Sequence, residues 1–153
     1  MRNHFLFSSL VSLILLSFLF GCVGQQNAMR QRTAIVSLGS NVTVTAEIAD
    51  DIAIRSVGLM NRSQLDESSG MLFIFQNNDY HAFWMKNTPI PLDIIFIDEN
   101  FTVVDVLPAD PCKSDPCKLY VPKEKARYVL EVNQNWTIRN SVTPGTAVKI
   151  ETV

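Results

Sequence analysis

The chemistry-bearing residues of this sequence cluster in one stretch, HAFWMKNTPIPLDIIFID from His81 to Asp98, where Lys86 and Asn87 stand between an apolar run and Pro89 and Pro91. In an extended chain Tyr80, Ala82, Trp84 and Lys86 share one face, and His81, Phe83, Met85 and Asn87 the other. Neither proline can donate to a ladder, so the strand has to end by Asn87, and strand ends are where side chains reach a cleft. With Arg55 from a short helix upstream, Lys86 and Asn87 would form a polar corner beside the Trp84 ring, suited to a carboxylate, a phosphate or sugar hydroxyls. The plainer alternative has Lys86 lying over Trp84 with its ammonium in water and Asn87 capping the turn.

Two acidic residues sit in apolar surroundings: Asp93 at the start of LDIIFID and Glu131 inside VLEV. An inward carboxylate without a partner is costly, so each calls for a cation, and Lys86 or Arg55 would serve. A structural ion pair is the favoured reading, and a carboxylate acting as general acid or base the sharper one. His81 is the only histidine beyond the leader; a hydrolytic enzyme would pair it with a carboxylate, with Ser68 or Ser69 as nucleophile. Met60, Met71, Met85 and His81 offer soft ligands for Cu(I), yet no Met-x-Met or Met-x-x-Met spacing draws them together. The chain contains no Gly-x-Ser-x-Gly elbow, His-Glu-x-x-His pair, phosphate loop or dinucleotide fingerprint, and no cofactor is expected.

The elements that must hold these residues are short. VTVTAEIA, 42 to 49, alternates as a strand with one buried face, and DDIAIRSVGLM predicts a short helix with an Asp N-cap and Gly58 as its stop. Strands are expected at 70 to 75, 80 to 87, 92 to 98, 101 to 108 and 126 to 132, with Asp98-Glu99-Asn100 as a hairpin turn and TAVKIET as the last strand. NQNWTIRNSV allows one helical turn. Runs apolar on both faces, Met71 to Phe75 and Ile94 to Ile97, imply strands covered on both sides. The fold class expected is β-rich α+β: a single domain of six to seven short strands with one or two short helices, rolled into a closed or partly closed barrel.

Of the 153 residues the first thirty stand apart. Arg2 and His4 precede an apolar run from Phe5 to Phe20, the pattern of a signal segment and somewhat short of the ~20 residues that span a bilayer. Leu19-Phe20-Gly21-Cys22 resembles the lipobox of prokaryotic lipoproteins, which would make Cys22 a lipidation site; an uncleaved anchor and full release are the alternatives. Residues 1 to 22 are thus read as leader or anchor, 23 to 32 as a polar tether and 33 to 153 as one extracytoplasmic domain. Three cysteines fit export as one lipid attachment plus a Cys112–Cys117 disulfide, whose short loop contributes at most ~2 kcal/mol.

Four sequons, at Asn41, Asn61, Asn100 and Asn135, exceed the roughly one or two that chance gives, which points to a glycosylated surface protein, most naturally archaeal. The 13 basic residues, less Arg2, face 15 acidic ones, and no basic stripe suits nucleic acid. The partners expected are a membrane at the N-terminus and a small polar, anionic or glycan-like ligand or an envelope protein at the Trp84 cleft.

GLM at 58 to 60, GMLFIF at 70 to 75, FWMKNTPIPLDIIFID at 83 to 98 and YVLEV at 128 to 132 resemble the domain-of-unknown-function family 192, over about residues 42 to 152. The resemblance implies a compact β-rich domain, commonly behind a signal or lipid anchor, and no established reaction. A glycine generally follows the LE strand in that family; here NQNW stands instead.

Overall fold

The computed structural model describes residues 32–40 and 42–153. Alternation builds the first hairpin: every second residue is buried in β1 (Thr33–Leu38) and in β2 (Val42–Ala49) from Val44 to Ile48, and the two pair antiparallel. The β1 strand was not anticipated, because TAIVSL is short and mixes its β-branched residues with Ala and Ser. After β2 the chain crosses over through α1 (Ile52–Val57) to β3 (Ser69–Asp79), which pairs parallel with β2. The expected caps form: Asp51 accepts from the Ile54 amide at 2.8 Å, and Gly58, at φ 51°, ends the helix.

Downstream lie β4 (Phe83–Trp84), β5 (Leu92–Ile97), β6 (Val103–Ala109), β7 (Leu119–Tyr120), β8 (Ala126–Asn133), α2 (Trp136–Arg139) and β9 (Val148–Thr152). The hairpin between β5 and β6 turns where expected, with Asp98 Oδ1 accepting from the Asn100 and Thr102 amides. The strand expected over 80 to 87 shrinks to two residues. Only Phe83 and Trp84 pair, against Tyr120 and Leu119, and the chain then turns at Lys86 and Asn87.

The result is a β-rich compact domain with two short helices and a mixed seven-stranded sheet, ordered β6-β5-β8-β3-β2-β1-β9. The sheet does not close into the expected barrel. Its edges, β6 and β9, meet at one corner, through the Thr102–Ala147 bridge and the bonds around it, and have no ladder between them. Twist brings the edges together there, and neither strand continues far enough alongside the other to pair.

Both faces are covered, as the doubly apolar runs implied. On one, Val36, Val44, Leu72, Ile95, Leu130 and Val132 pack with Trp136 of α2. On the other, Met71, Phe73, Ile94, Phe96 and Val129 pack beneath α1 and the segments around β4 and β7. Asn135, at φ 66°, takes the left-handed conformation that a glycine would supply after β8, a role asparagine tolerates better than other residues. The leader, the tether as far as Gln31, Cys22 and the Asn41 sequon lie outside the described residues.

Candidate functional site

A cleft of about 350 Å³ opens on the face that α1 covers. Its wall on one side is α1 with the turn after it, through Arg55, Ser56, Gly58, Leu59 and Met60. On the other stand His81, Phe83, Trp84 and Thr88, and the floor is the sheet, with Phe73 and Phe75 of β3 and Glu131 of β8. Gly58 is required by more than its dihedral angle. A Cβ there would lie 3.2 Å from Phe73 Cζ, so the helix end approaches the floor only because the side chain is absent.

The floor and walls are aromatic. Phe73 meets Phe83 edge to face at 5.0 Å, Phe83 meets Phe75 likewise at 6.3 Å, and the His81 ring stacks on Phe75 at 3.6 Å. Trp84 stands at the mouth, 47% exposed. Ile52 and Val57 add exposed apolar surface beside it on α1.

Glu131 is 5% exposed, and in the sheet it lies between Met71 of β3 and Ile94 of β5. Its side chain forms no hydrogen bond or ion pair with any described residue. Burial alone pushes its carboxyl up from 4.5 to about 8, so at neutral pH it is mostly protonated. The cation expected to pair with it is directed elsewhere. Arg55 Nη1 donates to the Ile74 carbonyl at 3.0 Å, and its guanidinium lies 5.2 Å from the centre of the Phe75 ring.

Asp93, grouped with Glu131 by sequence, faces the opposite side of the sheet. There it accepts from the Thr137 amide at 2.9 Å and the Thr137 hydroxyl at 2.6 Å, satisfying the first turn of α2, so no cation is needed. Neither expected ion pair therefore exists among the described residues.

Of the anticipated corner, Arg55 and Trp84 line the cleft, and Lys86 and Asn87 do not. Lys86 Nζ lies 5.6 Å from the Trp84 ring centre, over the ring as in the plainer arrangement, but it is paired with Asp115 Oδ2 of the disulfide loop at 3.2 Å, a partner not foreseen. Asn87, at φ 54°, accepts the Asn61 amide through its carbonyl at 2.8 Å.

Among the soft ligands Met60 and His81 line the cleft, whereas Met71 and Met85 are buried core residues. Ser69, the first residue of β3, and Ser68 just before it are not among the cleft residues. Cys112 and Cys117 form the expected disulfide, and Asn61, Asn100 and Asn135 are exposed. Sequence reasoning missed Phe73, Phe75, Ser56 and Thr88 as site residues. Strand parity carries the signal for the first two, since Phe73 and Phe75 share a face of β3 with Met71, the neighbour of Glu131.

The family model of DUF192, an uncharacterized ACR, matches residues 34–150. An uncharacterised UPF0127 protein of Pyrococcus horikoshii is 32% identical over 124 residues, covering 76% of this chain and 96% of its own. A second, from Pyrococcus abyssi, is 36% identical over 90 residues, covering 56% of this chain and 68% of its own. Among solved structures, a Sinorhizobium meliloti protein provisionally described as a transcription regulator superposes with TM-score 0.72 at 33% identity, covering 78% of this chain and 95% of that one. A protein of unknown function from Novosphingobium aromaticivorans gives 0.71 at 30% identity, covering 76% and 84%.

Proposed function

This chain belongs to the DUF192 family, and we propose that its domain binds a small ligand in the cleft between α1 and β4, with an apolar body against the aromatic walls and a polar group at Glu131. One observation carries this reading: the Glu131 carboxyl, on a residue 5% exposed, has no partner among the described residues and opens into an aromatic cleft. The carboxyl faces the cleft and is not sealed in the core, so its partner comes from whatever fills the cleft, solvent or a ligand atom.

The site so read is smaller and more apolar than the corner of Arg55, Lys86 and Asn87. It favours a compact molecule with a ring or short chain over a glycan, which would ask for several hydroxyl partners. The apolar leader and the Cys112–Cys117 disulfide support a domain working outside the cytoplasm, held to a membrane by the leader or by lipid on Cys22.

The test is a thermal-shift screen of small aromatic and aliphatic compounds on the full chain and on Ser56→Trp, which fills the mouth from an exposed helical position. A ligand at a hundred times its Kd stabilises by ~2.7 kcal/mol, and that shift should vanish in the variant. The reading fails if no compound shifts the melting temperature, or if the shift is the same in Ser56→Trp.

A further inference from the structure

The cleft is asymmetric in charge, and that asymmetry bears on what it takes. Three charged or titratable side chains line it: Arg55 from α1, His81 from the segment before β4, and Glu131 from β8. Beside Glu131 in the sheet, β3 and β5 present only Met71 and Ile94. Arg55 bonds to the Ile74 carbonyl, and His81 Nε2 lies 3.2 Å from the Asn77 carbonyl oxygen, so both side chains have partners on β3. Glu131 has none. The open valence of the cleft is therefore an acid, and of the rings around it Phe75 already carries His81 and Arg55 and Trp84 carries Lys86, which leaves Phe73 and Phe83 for a ligand.

We propose that the ligand is a small organic ammonium, whose nitrogen takes the place of the missing cation at Glu131 while its apolar substituent lies against Phe73 and Phe83. This rests on the cleft reading above and narrows its ligand class. An anion would meet Glu131 in its neutral form, gaining at most one hydrogen bond from it, and would find the ring faces unfavourable. An ammonium gains on both counts, with a charge-assisted hydrogen bond in a site of low polarity.

Binding is then linked to a proton. The ammonium pairs with the ionised carboxylate, so wild-type protein releases the Glu131 proton as the ligand enters. Apparent affinity scales with the ionised fraction; with the free group at about 8, it rises about fiftyfold from pH 6 to pH 8.

The experiment titrates the full chain with benzylammonium, benzyl alcohol and benzoate, which share a ring and differ in charge. It is repeated on Glu131→Gln and Ser56→Trp and, for benzylammonium, at pH 6, 7 and 8 in buffers of different ionisation enthalpy. The expected result is benzylammonium at least tenfold tighter than the other two, with proton release, strengthening with pH, and loss of that preference in Glu131→Gln. If Glu131→Gln does not fold, the wild-type pH profile decides alone, because a flat profile overturns the proposal. Benzyl alcohol or benzoate binding as well as benzylammonium, and blocked by Ser56→Trp, overturns the ammonium class and leaves the cleft standing. No binding by any of the three, or binding untouched by Ser56→Trp, overturns both.

Discussion

Replacing Glu131 by glutamine keeps the shape of the cleft floor and removes only the titration. Burial holds the carboxyl at about 8 in the folded protein against an ordinary value of 4.5. Between those values the folded chain keeps a proton that the unfolded chain has released, so raising the pH favours unfolding. Below 4.5 both states are protonated and the effect is absent. Above 8 it is complete, at ~4 to 5 kcal/mol, since each tenfold difference in proton affinity between the two states corresponds to ~1.4 kcal/mol. The unfolding free energy of Glu131→Gln relative to wild type should therefore rise by roughly 3 to 4 kcal/mol between pH 5 and pH 8. Groups common to both proteins cancel in that difference. Urea unfolding followed by tryptophan fluorescence at pH 5, 6, 7 and 8 measures it. A difference that stays flat within about 0.5 kcal/mol would refute the reasoning, because it would mean that the folded protein compensates the Glu131 charge.

Three further perturbations probe what surrounds the cleft. Asp93→Ala strands the Thr137 amide and hydroxyl on the far face and should cost ~2 to 3 kcal/mol by urea unfolding, with Thr137→Val costing less. Gly70→Ala should cost more than ~2 kcal/mol and lower the yield of folded protein, because a Cβ would sit 2.6 Å from the Glu131 carbonyl oxygen and 3.0 Å from Val44 Cγ1. Lys86→Ala removes an exposed pair with Asp115 and should cost no more than ~1 kcal/mol. It should also leave the affinity of any cleft ligand within about twofold, by titration, since Lys86 is not a cleft residue.

Local rules carried much of this fold. Asp51, Gly58 and the Asp98 turn act where their side-chain chemistry says they should, because caps and turns are decided within a few residues. β2 was legible over its whole length, since VTVTAEIA alternates apolar and polar residues as far as Ile48. The errors concern what alternation does not encode. YHAFWMKN is apolar enough for a strand, yet its pairing partner is the two residues of β7, and a strand without a long neighbour does not extend. The barrel failed for a related reason. Closure depends on whether β6 and β9 run side by side, and no pattern within either strand states that. The site was half legible: Arg55, Trp84 and Glu131 converge, while Lys86 is drawn outward by Asp115, which lies 29 positions further along the chain.

Asp93 and Glu131 provide a control for one another. They lie one register step apart on adjacent strands, Asp93 opposite Val132 and Glu131 opposite Ile94, and both are almost fully buried. A single step of parity sends them to opposite faces of the sheet. On the Asp93 face the chain supplies an amide and a hydroxyl from α2, and the carboxylate is closed off as a structural cap. On the Glu131 face the same fold supplies α1 and the β4 segment, whose one permanently charged lining group is turned toward the Ile74 carbonyl. A carboxyl retained only for stability would be better replaced by an apolar residue at such a position. Its presence at the floor of an open aromatic cleft is accounted for if the missing partner arrives from solution, and the pH dependence of Glu131→Gln and of benzylammonium binding then report the same proton from two directions.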